Sequence, residues 1–597
     1  MQQSQDACVG RADCGKRIMD SRVPLNRKTV MYGAAILSVA GIVIKILGAV
    51  FRIPLGNLIG DEGMGYYNAV YPVYTMLVVI GATGIPVAVS RIVAEYHADN
   101  DPLGATRVLR ITLGLMSVVG VCFFVGIFFG AESITSRLTD LSEAVYAMQA
   151  IAPALIFVPI MSVMRGYFQG LQNMKPTALS QVVEQAFRVI VGLALAYSLI
   201  SGGKAMAAAG GTFGATAGAI AGLVTLAIIY RKPLKDIPYR DKRESAKLIR
   251  ERSKKEPVGS IIKKVLVIAI PITIGATIMP LMYIIDMWVV PAKLSQAGFD
   301  PVTVRSMYGQ LTGFAEPLTN LPKVLTQAIA ISMVPTIVKA WKEKDKEFLN
   351  YNVALGLRLA LIIGLPCTVG LMILAKPVMF LLYPFQIEGA AGAAPALFIF
   401  AIGIVFLSSI DALTSVLQGI GKQMIPFVNI AIGAGCKFVI TFFLTAIPDV
   451  NIKGAAIGTV TAYAVATVLN YRAVVKYTGT RFDPSLTFVR PVVSALVMGG
   501  VVAAVFYGIQ GALSKSAASM TELVEFASEQ FHRDFTGAIL GNALATVVAI
   551  LAGVIVYFIM LFVSRAINPE ELRLLPKGEK IYRLYKKIRR GRISKKR

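Results

Sequence analysis

Histidine, cysteine and acidic residues are scarce in this chain, and each scarcity excludes a class of protein. The two histidines, His97 and His532, fall in expected loops. The five cysteines (Cys8, Cys14, Cys122, Cys367 and Cys436) lie far apart with no CxxC pair. Neither a zinc site nor a disulfide framework follows from that pattern, and packing is the natural role of the thiols. GxxxxGK[ST], HExxH and GxSxG sequences are also missing, so no nucleotide cradle or hydrolytic constellation is offered. No enzyme, metal or cofactor is expected. Asp and Glu number 34 against 60 Lys and Arg, a formal charge of +26. A surplus of that size raises nucleic acid as a partner, but the position of the charges removes it.

What is abundant is apolar surface. Hydrophobic residues make up 55% of the 597 positions and charged residues 16%, with a mean hydropathy of +0.66. That composition belongs to an all-α polytopic membrane protein. At roughly 20 apolar residues per crossing, fourteen spans are expected, near 30–51, 67–90, 108–130, 144–164, 177–200, 209–230, 265–290, 307–338, 350–375, 395–420, 423–446, 455–475, 488–508 and 538–563. Residues 1–29 are polar and basic without a signal-peptide core, and read as a disordered tail. One set of alternate loops, with both tails, holds 46 Lys and Arg, and the opposite set holds nine. By the positive-inside rule both termini are expected in the cytoplasm and the protein in the cell membrane. The basic tail 564–597 is expected to lie against anionic lipids.

Topology leaves five cations inside spans: Lys45, Arg188, Lys323, Arg358 and Lys437. Arg358 stands near a helix end, within snorkelling reach of water. The other four lie deeper, where a charge costs at least ~2.5–3.5 kcal/mol on insertion scales and usually faces a polar interior. Arg52 is ambiguous, at the edge of the first span. Buried acids are available as ion-coupling groups or charge partners: Glu184 (four residues before Arg188), Asp286, Glu316 and Asp411.

The chain also repeats itself. A shift of 249 residues aligns MRGYFQGLQNMKPTALSQVVEQAFRVI (164–190) with LTSVLQGIGKQMIPFVNIAIGAGCKFVI (413–440), pairing Gln169-Gly170 with Gln418-Gly419 and Arg188 with Lys437. Pro86 falls on Pro335. The expected organisation is an N-lobe of six helices (30–230), a basic cytoplasmic linker (231–264), a C-lobe of six (265–478) and two further helices (479–563). Even-numbered repeats are parallel, which favours rocking of two lobes about a central cavity. Pro317 and Pro322 beside Glu316 and Lys323 mark a bent, cavity-lining helix. Gly210, Gly214, Gly218 and Gly222 form a ladder suited to close helix packing.

Two stretches carry a family resemblance: FRIPLGNLIGDEGMGYYNAVYPVYTMLVVIGATGIPVAVSRIVAEY (51–96) and RGYFQGLQNMKPTALSQVVEQ (165–185). They resemble the stage V sporulation protein B and YtgP group of Gram-positive bacteria. That group belongs with MurJ in the multidrug/oligosaccharidyl-lipid/polysaccharide exporter superfamily. The resemblance implies fourteen helices in two lobes forming a V, and a role in flipping lipid II for peptidoglycan synthesis. In the MurJ branch the first helix carries a cavity motif of two arginines around Leu-Gly. The matching stretch here, Lys45 to Arg52, has Lys for the first arginine and one extra residue before the second.

The expectation is an alternating-access exporter of a polyprenyl-diphosphate-linked saccharide, with the diphosphate bound by Lys45, Arg52, Arg188, Lys323 and Lys437. Two alternatives stand beside it: a cation-coupled multidrug exporter using the buried acids, and a recruitment protein for cell-wall synthases or sporulation machinery.

Overall fold

The computed structural model describes residues 27–99, 101–138, 142–231, 256–515 and 537–566. The N-terminal tail, most of the basic linker and nearly all of the C-terminal tail lie outside the described residues. Among the described residues, thirteen helical stretches are long and apolar enough to cross a bilayer. The first, Val39–Ala98, has 60 residues, which would extend ~90 Å if straight, about three times the hydrocarbon core. It is two crossings. Gly60 breaks the helix with φ 72°, a left-handed conformation that favours glycine. Arg52 and Asn68, each eight residues from it, are hydrogen-bonded at 2.8 Å. A straight helix would hold them about 24 Å apart, so the chain doubles back at Gly60.

The crossings are α1 (27–59), α2 (61–98), α3 (Pro102–Leu138), α4 (Ser142–Gly170), α5 (Lys175–Ser198), α6 (Lys204–Arg231), α7 (Val258–Gln296), α8 (Pro301–Glu343), α9 (Lys346–Ile373), α10 (Ile387–Gly419), α11 (Met424–Leu444), α12 (Ile452–Thr478), α13 (Ser485–Ala512) and α14 (Gly537–Val563). A short helix, Ala375–Leu382, follows α9. Helices α1–α6 form one lobe, α7–α12 the other, and α13 and α14 pack on each other and against α9. Large apolar side chains such as Val118, Phe129 and Ile190 stand exposed on the outside, the surface a bilayer covers.

The repeat is visible in the packing. Gly170 meets α2 at Ser90 and Val93, and its counterpart Gly419 meets α8 at Val334 and Ile337. Gly218 rests on the Glu184 carbonyl of α5, as Gly458 rests on Lys437 and Thr441 of α11. A Cβ at Gly210, Gly214 or Gly218 would come within 2.5–2.7 Å of α5 backbone atoms, so the first three rungs of the ladder set how closely α6 approaches α5. Gly222 instead meets the Met161 sulfur of α4.

Toward the face opposite the basic loops, the lobes are sealed together. Glu62 of α2 pairs with Arg305 of α8 at 3.2 Å and with Lys204 of α6 at 3.1 Å. Asp61 accepts from Ser306 and from Gln310 (2.8 Å). A Cβ on Gly309 would lie 1.8 Å from the Asp61 carbonyl, so backbone crosses backbone here. Toward the basic face, Tyr96 of α2 donates to Glu256 just before α7, and Lys264 pairs with the same carboxylate at 2.5 Å. These bonds stabilise the ionised form and hold the Glu256 carboxyl down at about 2.

Candidate substrate site

Two polar levels lie between the lobes, and helices α1 and α8 contribute to both. On α1 they are Arg52 and Lys45; on α8 they are Glu316 and Lys323. Seven residues are close to two full turns, so each pair shares a helix face about 10 Å apart along the axis.

The deeper level is a cavity of about 160 Å³ lined by Arg52, Asn68, Tyr71, Tyr283, Asp286, Tyr308, Glu316 and Asn320, with Pro72, Thr75, Thr312 and Pro317. Its construction follows from the α8 sequence. Residues Gln310–Ala315 form a π-helical turn, a departure frequent at functional sites. In that register the Thr312 carbonyl would accept from residue 317, which is proline and has no N–H. Arg52 takes the vacant acceptor, donating through Nη2 to Thr312 O at 2.7 Å and to Asn68 Oδ1 at 2.8 Å. The guanidinium thereby joins α1, α2 and α8 across the lobe boundary. Glu316, one residue before the proline, is buried within charge reach of Arg52 and Asp286.

The second level lies two turns toward the basic face and is more open. Lys45 is exposed and donates to Gln327 of α8 at 3.0 Å. Lys323 and Asp411 lie within electrostatic reach of it, and Asp411 accepts from Thr326 at 3.0 Å. Two cations from opposite lobes, Lys45 and Lys323, thus share a space with one carboxylate.

The remaining expected cations are placed differently. Arg188 stands in the N-lobe wall, donating to Tyr71 at 3.3 Å and 3.8 Å from Glu184. Lys437 is withdrawn from the cavity: 1% of its side chain is exposed, and it is bound by Asp286 at 2.5 Å and the Met282 carbonyl at 3.1 Å. Arg358 is buried rather than extended to the helix end. Arg165, which span counting assigns to a basic loop, sits inside α4 and binds Glu184 at 2.8 Å. Asn68, Tyr71 and Asn320 carry no charge to mark them. Their signal is spacing: Asn68, Tyr71 and Thr75 recur on one face of α2, and Asn320 follows Glu316 by one turn.

Among the described residues no group of three or more His, Cys, Asp or Glu is placed to hold a metal. The six cations Lys45, Arg52, Arg165, Arg188, Lys323 and Lys437 outnumber the acids Glu184, Asp286, Glu316 and Asp411 by two. The space between the lobes is therefore formally cationic.

Comparison with known proteins agrees with this architecture. Residues 30–341 match the family model described as polysaccharide biosynthesis protein. Stage V sporulation protein B of Bacillus subtilis is 28% identical over 92% of this chain and 98% of its own length. Lipid II flippase MurJ of Bacillus subtilis is 27% identical over 75% of this chain and 83% of its own. A solved structure titled lipid II flippase MurJ, inward closed conformation, superposes with a TM-score of 0.61 at 16% identity, covering 89% of this chain and 98% of that one. The chain belongs to the polysaccharide biosynthesis protein family, as a multi-pass membrane transporter related to MurJ.

Proposed function

We propose that the protein moves a polyprenyl-diphosphate-linked saccharide across the cell membrane by alternating access, with lipid II the best single substrate. The observation that carries this is the open level where Lys45 and Lys323, from different lobes, lie within charge reach of one another. A formal surplus of two positive charges between the lobes matches a doubly anionic diphosphate diester. Lysines suit the task as mobile point charges, since the substrate must also leave. The lobes 30–230 and 265–478 act as the rocking bodies, and the lipid tail stays in the bilayer.

In this reading the basic loops and both termini are cytoplasmic, so the Glu62–Arg305 seal closes the outer side. An inside-negative potential favours outward movement of an anionic headgroup by ~2.3 kcal/mol per charge per 100 mV. Cation-coupled drug export is supported less, because Asp286 is already ion-paired with Lys437, and Glu316 and Asp411 lie within charge reach of cations. Recruitment of cell-wall synthases would rest on the basic tails. Deleting residues 568–597 separates it from transport: loss of partner localisation with flipping preserved would favour recruitment.

The test is movement of labelled lipid II by the purified protein in liposomes. Lys45→Ala is expected to express normally and to lower the flipping rate at least about tenfold, and to fail in complementing depletion of a lipid II flippase. Normal rates in that variant would remove Lys45 from the site. Movement of a different polyprenyl-linked glycan, with lipid II left in place, would correct the substrate.

A further inference from the structure

We infer that the deeper cavity is the seat of one sugar ring, while the diphosphate binds at Lys45 and Lys323 two turns closer to the basic face. This deepens the transport reading above and rests on it. The first observation is that Arg52 is already engaged. Its Nη2 is spent on Asn68 and the Thr312 carbonyl, so the fork that would clamp a phosphate bidentately is held by the protein.

The second observation is a pair of orphaned atoms. Arg52 Nε and Asp286 Oδ1 are buried without a hydrogen-bond partner, and both residues line this cavity. Asp286 is only 3% exposed, and an unmet polar atom at that depth costs ~1–3 kcal/mol. One is a donor and the other an acceptor. A phosphate oxygen satisfies only the donor and meets the carboxylates of Asp286 and Glu316 as like charge. A hydroxyl can accept from a donor such as Arg52 and donate to an acceptor such as Asp286, so it suits a lining of mixed kind where a phosphate does not.

Size and lining agree with that choice. A cavity near 150 Å³ holds a molecule the size of benzene, and this one, at about 160 Å³, has room for one ring and not for two. Asn320 and Glu316 add further hydroxyl partners, and Tyr71 and Tyr283 supply aromatic faces. The shared register of Lys45 with Arg52 and of Lys323 with Glu316 places the two levels along one axis, as a sugar attached to a diphosphate requires.

The experiment measures binding of two ligands to the purified full-length protein in detergent: a short-chain polyprenyl diphosphate, and the same lipid bearing one N-acetylhexosamine. The wild type is expected to prefer the glycosylated lipid by about tenfold. Asn320→Leu, which replaces a polar lining amide by an apolar side chain, is expected to bring that preference to within about twofold while the bare diphosphate binds as before. Lys45→Gln is expected to weaken both ligands alike. If Asn320→Leu melts at lower temperature than the wild type, Asn320→Ala takes its place. Preference retained in the Asn320 variant, or equal loss of both ligands, overturns the subsite. Equal wild-type affinity for the two lipids also overturns it and leaves diphosphate recognition standing. No binding of either lipid overturns the transport reading and the subsite with it.

Discussion

Arg188 and Lys437 occupy equivalent places in the two halves of the repeat, yet one remains beside the transport space and the other is locked away. Arg188 shares Glu184 with Arg165, so its acid is divided between two cations and one positive charge is left over. Lys437 has Asp286 and the Met282 carbonyl, both on α7, and is almost fully covered. The N-lobe thus presents surplus positive charge to the space between the lobes, whereas in the C-lobe the acids Asp286, Glu316 and Asp411 outnumber Lys323 and Lys437. Equivalent backbone positions acquire different electrostatic duties according to the acid that faces them.

Removing one partner is the severest way to break this contrast. Lys437→Ala leaves Asp286 as an uncompensated buried charge and is expected to cost ~3–5 kcal/mol, seen as a large fall in thermal stability in detergent. Replacing both partners by Lys437→Met and Asp286→Leu should recover most of it. Arg188→Ala is expected to cost less than half as much, because Arg165 still answers Glu184. Comparable losses for the two single variants would show that the lobes do not differ as described.

The glycines behind these cations sharpen the comparison at intermediate size. A Cβ at Gly218 meets the Glu184 carbonyl at 2.5 Å, while one at Gly458 meets the Thr441 hydroxyl at the same distance. Backbone cannot swing aside and a hydroxyl can, so Gly218→Ala is expected to lower the melting temperature more than Gly458→Ala. The overpacking cost is ~1–3 kcal/mol. Equal shifts would locate the strain elsewhere in the helix pair.

The smallest effect concerns Glu256, which ties the lobes near the basic face. Its folded value of about 2 lies below the ordinary 4.5, so its contribution is complete above the ordinary value and is lost as pH falls toward about 2. Exposure and screening keep that contribution under ~1 kcal/mol. Glu256→Gln should therefore destabilise slightly at pH 7 and not at all near pH 2, measured as the difference in melting temperature. A difference that persists at low pH would assign the effect to packing.

Much of the fold was legible because membrane insertion imposes coarse rules. Fourteen apolar runs, the repeat and the glycine ladder follow from length, hydropathy and spacing, and each has a counterpart among the helices. Charge alone identified residues costly to bury, but not their surroundings. Arg52 read as a membrane-edge residue and lies at the cavity wall, because the hairpin at Gly60 brings Asn68 to it. Arg165 read as a loop residue and lies inside α4, paired with Glu184. The neutral members of the cavity, Asn68, Tyr71, Tyr283 and Asn320, escaped notice because an amide or phenol in an apolar run is unremarkable until its neighbours are known.

By itself the sequence determined that this chain crosses a membrane many times, is built twice over from one six-helix plan, and keeps cations where lipid would reject them. Only the tertiary structure decided which cations are available to a ligand. Hydropathy acts along the chain and is fixed by composition, whereas the availability of a charge depends on the carboxylate, carbonyl or second cation that another helix brings within a few ångströms.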